Sequence, residues 1–342
     1  MLDEIREQPS VFETALKRNA ADVDAITRGV TPKDFNYALI AARGTSDNAA
    51  RYAKYLWASH NGLPVALAAP SLFTAYQSPP SLSGALVVGI SQSGESPDLI
   101  AVLAEGRRQG RPTMAITNKP NSPLAAQADF VLDIEAGEEH AVAATKTYSA
   151  QLLAVAMLSD FWRMGEVSPD LARSPGLLTD TLQSEALIAE VAKDFADLRS
   201  CAVLGRGYNH STAFEWALKL QEVTYALAHP YSTADFRHGP VALVEPGFSL
   251  MAAAPDGPLF GDMLALLEEV SQKRHAKTVT ISNRGEALEA SRYGIPLPDS
   301  TPEWISPMPI IVAAQLFTYH LGTIKGLDTE NPRGLSKVTK TI

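Results

Sequence analysis

With a single cysteine in 342 residues, Cys201, this sequence cannot build a disulfide framework or a thiolate metal site. The setting of Cys201, in the apolar run Cys-Ala-Val-Leu, reads as a small core position. Positive charge is also scarce: 29 Lys and Arg stand against 38 Asp and Glu, a formal net charge of −9. No global attraction to nucleic acid follows, and an anionic ligand must be held by a local site. Membrane-spanning runs are missing as well. Asn61–Gly94 carries no Asp, Glu, Lys or Arg but is broken by Pro64, Pro70, Pro79 and Pro80. Trp304–Ile324 is equally free of these charges, yet Pro307, Pro309, Gln315 and His320 make it a buried helix rather than a span. The opening Met-Leu-Asp-Glu-Ile-Arg-Glu has mixed charge and no apolar core of a signal peptide, so a cytoplasmic protein is expected. No Walker lysine or G-x-G-x-x-G appears, and His60, His140, His210, His229, His275 and His320 show no metal-ligand spacing. Neither a nucleotide, a cofactor nor a metal is expected.

What is present is a regular alternation. Short apolar runs at Tyr37–Ala42, Val65–Ala69, Ala85–Ile90, Pro112–Thr117 and Phe130–Ile134 read as strands, with helical patterns such as Asp47–His60 and Pro97–Gln109 between them. Strand and helix in turn, with apolar strands, predict a mostly parallel sheet covered on both faces. The order then recurs: strand Cys201–Gly205, helix Ser211–Ala228, strand Phe248–Ala254, helix Leu259–Lys273, strand Thr278–Ser282. Arg43-Gly44-Thr45-Ser46 overlays Arg206-Gly207-Tyr208-Asn209 at an offset of 163, and Ala115-Ile116-Thr117-Asn118 overlays Thr280-Ile281-Ser282-Asn283 at 165. Near-equal offsets point to internal duplication. The expected organisation is an N-terminal helix in 1–20, a first α/β domain over 21–170, a second over 178–326 and a tail over 327–342. The linker falls near Val167–Gly176, where Ser and Pro cluster.

Two loops of the first copy are suited to an anion. Ser91-Gln92-Ser93-Gly94-Glu95-Ser96 follows a strand and leads into a helix, with Ser96 fit for the N-cap and Pro97 for the first helical position. Hydroxyls and unpaired backbone N–H groups at a helix start favour negative charge. Gly44-Thr45-Ser46 has the same character, and both loops lie at the strand ends where open α/β sheets bind ligands. Plain capping is the usual explanation of such a loop standing alone; two of them at strand ends of one domain bring the binding reading level with it. The second copy has Ala253-Ala254-Pro255-Asp256-Gly257 there, without hydroxyls, so only the first copy is equipped for phosphate.

The second copy carries the acid–base groups. Its first helix holds three charges, Glu215, Lys219 and Glu222, whose spacing puts them on one face of an otherwise apolar helix. That stripe either faces water or lines a cavity. His238, before Gly239-Pro240, sits in a loop and has the side chain best suited to titrate near neutrality. Lys337 lies in the tail.

Together these residues resemble the sugar isomerase (SIS) family, in particular the isomerase half of glutamine–fructose-6-phosphate aminotransferase and, more closely, stand-alone SIS-type glucosamine-6-phosphate deaminases. The similarity runs from Glu4-Ile5-Arg6-Glu7-Gln8-Pro9 to Asn331-Pro332-Arg333-Gly334-Leu335-Ser336-Lys337. The resemblance implies two tandem doubly wound, mostly parallel-sheet SIS domains, each a flavodoxin-like three-layer α/β/α sandwich. It implies phosphate binding by Ser91, Gln92, Ser93 and Ser96 with Thr45 and Ser46 beside them. Glu222 then moves a proton between C1 and C2, accompanied by Glu215 and Lys219. His238 opens the sugar ring across a homodimer interface, and Lys337 closes over the carbonyl. Ala144, where the aminotransferase has serine, and Gly334 and Ser336 in the tail depart from that pattern. So does the start of the sequence, at the isomerase half without a glutaminase domain.

Three functions remain open on these residues. The leading one is conversion of glucosamine 6-phosphate to fructose 6-phosphate and ammonia. The second is an aminotransferase-type isomerase fed with ammonia by a separate glutaminase. The third is a non-catalytic sugar-phosphate sensor, which has no use for Glu222 and His238. Glucosamine and galactosamine are not distinguished.

Overall fold

Unbroken apolar runs, rather than alternating ones, become the strands, as befits sheets sandwiched between helices. In the computed structural model, which describes residues 1–337, they form two five-stranded sheets. The first comprises β1 (Tyr37–Ala41), β2 (Val65–Leu67), β3 (Ala85–Ser91), β4 (Thr113–Thr117) and β5 (Phe130–Asp133) in the order β2-β1-β3-β4-β5. The second comprises β6 (Ser200–Leu204), β7 (Leu227–Tyr231), β8 (Ser249–Ala253), β9 (Lys277–Ser282) and β10 (Tyr293–Pro296) in the order β10-β9-β8-β6-β7. Read from the opposite edge, that is the same topology, and the strand pairings are parallel. Both sheets are therefore doubly wound, as the alternation predicts. Central β3 has all seven residues buried, and Val87 sits in a core with Leu99, Val102 and Leu103 from the helix Pro97–Arg108.

The chain divides into two compact units. One contains Ser10–Glu139, Lys146–Ala172 and, of the described tail, Ser336 and Lys337, with the first sheet; the other contains Met1–Pro9, His140–Thr145 and Arg173–Leu335, with the second. The segment before β1 forms helices Leu2–Arg6, Gln8–Arg18 and Ala20–Gly29. Positions 338–342 of the expected tail lie outside the described residues.

Duplication extends to side-chain detail. After β1, Arg43 Nε pairs with the buried Asp98 at 2.7 Å, in the first turn of the helix that follows β3. After β6, Arg206 pairs with Asp262 at 2.6 Å, in the first turn of the helix that follows β8. Thr117 Oγ1 accepts from the N–H of Lys119, and Ser282 Oγ from that of Arg284.

Two expectations change. The helix expected over Ser211–Ala228 ends at Thr224, and Leu227–Tyr231 is a strand. Leu-Ala-His-Pro-Tyr carries no strand signal because β7 is an edge strand, where Pro230 need not donate to a neighbour. The edge strand β10, Tyr-Gly-Ile-Pro, is missed for the same reason. The charge-free stretch does become a buried helix, Pro307–Ile324, and among the described residues no helix is long and apolar enough to cross a membrane. Cys201 is buried in β6, and burial pushes its thiol up to about 12, so it carries no thiolate chemistry at neutral pH.

Candidate active site

In the first sheet the chain leaves β1 toward β2 on one side and β3 on the other, so the crevice lies between β1 and β3. The turns after these two strands are the two hydroxyl-bearing loops. Ser91 ends β3, and its hydroxyl accepts from Gly94 N–H at 3.1 Å, bending the chain into a tight turn. Ser93 Oγ accepts from Glu95 N–H at 3.3 Å. Each hydroxyl keeps its own proton to donate. Ser96 is the N-cap of the helix Pro97–Arg108, without a side-chain cap bond. Beside β1, Ser46 is buried and accepts from Gln151 Nε2 at 3.0 Å, whereas Thr45 is half-buried. Gly94 is required here, with φ at +64° and a position where a Cβ would lie 2.0 Å from Ser122 Oγ. Gly94→Ala should therefore destabilise the protein by about 1–3 kcal/mol, read as a lowered urea midpoint.

A cavity of about 480 Å³ opens beside this turn. Gln92, Ser93 and Lys337 line it, together with the loop Asn118–Pro123 after β4 and Gly137–Glu139 after β5. Asn118 shapes the wall, donating to Gly137 C=O at 2.6 Å and accepting from Ala136 N–H at 3.0 Å. Thr45, Ser46, Ser91 and Ser96 do not line this space. Lys337 is no solvated surface lysine: its Nζ lies 2.6 Å from Glu139 Oε2.

The charged stripe of the second unit does not face water. Glu215 and Lys219 are 0% and 1% exposed, and Lys219 Nζ reaches Glu215 at 3.4 Å and also Glu222. Glu222 alone keeps an accessible edge, at 22%. Trp216, on the same helix, packs edge-on against Phe317 at 5.9 Å between ring centres. Two charges withdrawn from water in an apolar setting, with a third only half-buried, are a poor stability device, since desolvation offsets most of the attraction. The backbone is special as well. Its counterpart in the first copy, Gly44–Asn61, is α-helical throughout, whereas Gly207–Thr224 begins as a 3₁₀ turn, continues as an α-helix and ends in a π turn over Leu220–Thr224. Such π turns recur at functional sites. Glu222 lies in it, and the helix stops at Tyr225 with φ +56°, where the first copy has Gly62. Tyr225 Oη accepts from Arg333 N–H at 2.8 Å, an anchor that helps hold this residue in its left-handed backbone conformation.

His238 follows the short helix Thr233–Arg237, capped by Ser232, and is exposed. Arg237 beside it is tied to Glu269 at 3.0 Å. Among the described residues no group of three His, Cys, Asp or Glu side chains is arranged to hold a metal ion. Glu139 and the Asn118–Pro123 loop escape sequence reasoning. Asn118 stands out only as an anchor between copies, and Glu139, in Gly-Glu-Glu-His, lies in no periodic pattern.

The architecture defines a tandem, doubly wound α/β protein with a hydroxyl-bearing turn in one copy and a largely buried Glu–Lys–Glu cluster in the other. Residues 35–159 and 194–323, each enclosing one sheet, match the SIS domain family, and the chain belongs to that family. It is 34% identical to glutamine–fructose-6-phosphate aminotransferase (isomerizing) of Gloeobacter violaceus over 98% of this chain and 58% of that protein. The Thermus thermophilus protein of the same name is 32% identical, with the same coverage of 98% and 58%. The chain thus spans 58% of the length of these relatives. Among solved structures, the C-terminal domain of glucosamine-fructose-6-phosphate aminotransferase from Francisella tularensis superposes with a TM-score of 0.86 at 28% identity, covering 96% of this chain and 97% of that one. Glucosamine-6-phosphate deaminase from Thermotoga maritima gives 0.82 at 22%, covering 99% of each chain. Tagatose-6-phosphate ketose/aldose isomerase from Escherichia coli gives 0.84 at 21%, covering 98% and 95%. These last two share the fold.

Proposed function

We propose that this protein is an aldose–ketose isomerase acting on hexosamine 6-phosphates, converting glucosamine 6-phosphate to fructose 6-phosphate and ammonia. The observation that supports it best is the buried Glu215–Lys219–Glu222 cluster, in which Glu222 alone keeps an open edge. Moving a proton between neighbouring carbons needs one carboxylate held rigidly and partly desolvated, and this cluster supplies it. In this reading the turn residues Thr45, Ser46, Ser91, Gln92, Ser93 and Ser96 take the phosphate. His238, contributed by a neighbouring protomer of a homodimer, moves the proton that opens the ring. Glu222 then removes the C2 proton while the carbonyl oxygen gains one, giving an enolamine. Returning the proton to C1 leaves an imine at C2. Water adds there, the C–N bond breaks and ammonia departs. Lys337 stabilises the developing charge on the carbonyl oxygen.

A second reading, an aminotransferase-type isomerase supplied with ammonia by a glutaminase, is favoured by the 34% identity to such a protein. The assay is ammonia release from glucosamine 6-phosphate and galactosamine 6-phosphate by the purified chain, coupled to detection of the ketose phosphate. Release from either supports the proposal and tells the epimers apart; release from neither overturns it. Formation of glucosamine 6-phosphate only when glutamine and a glutaminase are added favours the second reading.

A further inference from the structure

The cavity beside the serine turn contains a carboxylate that the proposed reaction leaves idle. The Glu139 side chain is fully buried, yet its Oε2 lies 2.6 Å from Lys337 Nζ. The same carboxylate is fixed from behind: Thr147 N–H donates to Oε1 at 3.1 Å and the Thr147 hydroxyl to Oε2 at 2.7 Å. Thr147 stands in the first turn of the helix Lys146–Met164, a place that favours negative charge. A carboxylate is costly to bury unless it is paired and hydrogen-bonded, and here three donors meet those needs. The residue that gains most is the lysine. Ser336 and Lys337 belong to no helix or strand, so nothing in local backbone structure fixes where the ammonium stands. The carboxylate does, at the wall of the cavity that Gln92 and Ser93 also line.

We infer that Glu139 is a positioning residue: it docks the Lys337 ammonium and so latches the C-terminal tail at the cavity beside the phosphate turn. The inference rests on the role proposed for Lys337 at the substrate carbonyl and deepens it. Lysine reaches the site as a pre-oriented cation, and the cost of ordering its long side chain is met before substrate arrives.

The test reads the latch and the reaction separately. Lys337 of the full chain is acylated with a small amine reagent at neutral pH and its modification rate measured by mass spectrometry, with exposed Lys54 as internal reference. Glu139→Gln should raise the Lys337 rate about tenfold over wild type, the scale of a lost charge-assisted hydrogen bond. Glu139→Asp should stay within about threefold of wild type, and Thr147→Val, which keeps the carboxylate, should raise the rate about two- to threefold. The same Glu139→Gln should lower kcat at least about tenfold with KM changed less than about threefold, and Glu139→Asp should recover most of the loss. Unchanged Lys337 labelling in folded Glu139→Gln, or in Thr147→Val should the first not fold, overturns the latch. Raised labelling with wild-type kcat overturns the positioning role. Raised labelling in a protein that turns over no hexosamine phosphate supports the latch and overturns the functional reading.

Discussion

Glu222→Gln is expected to lower kcat for ammonia release by about 10²–10⁴, the range that a positioned proton-transfer group contributes, with little change in KM. The substitution keeps size and hydrogen-bonding capacity, so Lys219 retains an acceptor at that position as well as Glu215. What disappears is basicity. The same variant should stop exchange of deuterium from solvent into C1 of the ketose product, a readout independent of ammonia. A loss of less than about tenfold would remove Glu222 from the proton transfer.

Lys219→Met should be damaging in a different way, lowering stability by about 3–5 kcal/mol, because it leaves the fully buried Glu215 without its lysine. For a unit of this size that corresponds to a fall in unfolding temperature of roughly 10 °C. The double variant Glu215→Gln/Lys219→Met removes both charges and should recover much of the loss, since an absent ion pair costs far less than a broken one. A single variant that melts like wild type would show that the cluster is hydrated. The two variants should therefore part: Glu222→Gln is expected to affect turnover and little of folding, whereas Lys219→Met is expected to affect folding first.

The pair of copies shows how duplicated scaffolds diverge. Strand order and the Arg–Asp pair after the first strand are retained in both. The first copy keeps a regular helix with a glycine cap and puts hydroxyls on the next turn. The second replaces those hydroxyls with Ala-Pro-Asp-Gly and ends its helix in a π turn. Gly62 and Tyr225, 163 positions apart, occupy the same left-handed cap. Glycine adopts that conformation freely; tyrosine does so with its hydroxyl anchored by the backbone of Arg333.

From the sequence alone came the doubly wound class, the duplication and most of the central strands. All three are written in local apolar periodicity and in the turn residues that punctuate it. The hydroxyl-bearing turn and the helix start behind it were legible for the same reason, since hydroxyls, glycine and Pro97 act within a few positions of one another. Tertiary structure decided the rest. Edge strands β7 and β10 take their conformation from a neighbouring strand, so their own residues carry little signal. Whether Glu215, Lys219 and Glu222 faced water or a cavity depended on what packs against the helix, which spacing cannot encode. The pairing of Glu139 with Lys337, 198 positions apart, exists only because the fold brings a tail back to a loop, and electrostatics act through space rather than along the chain.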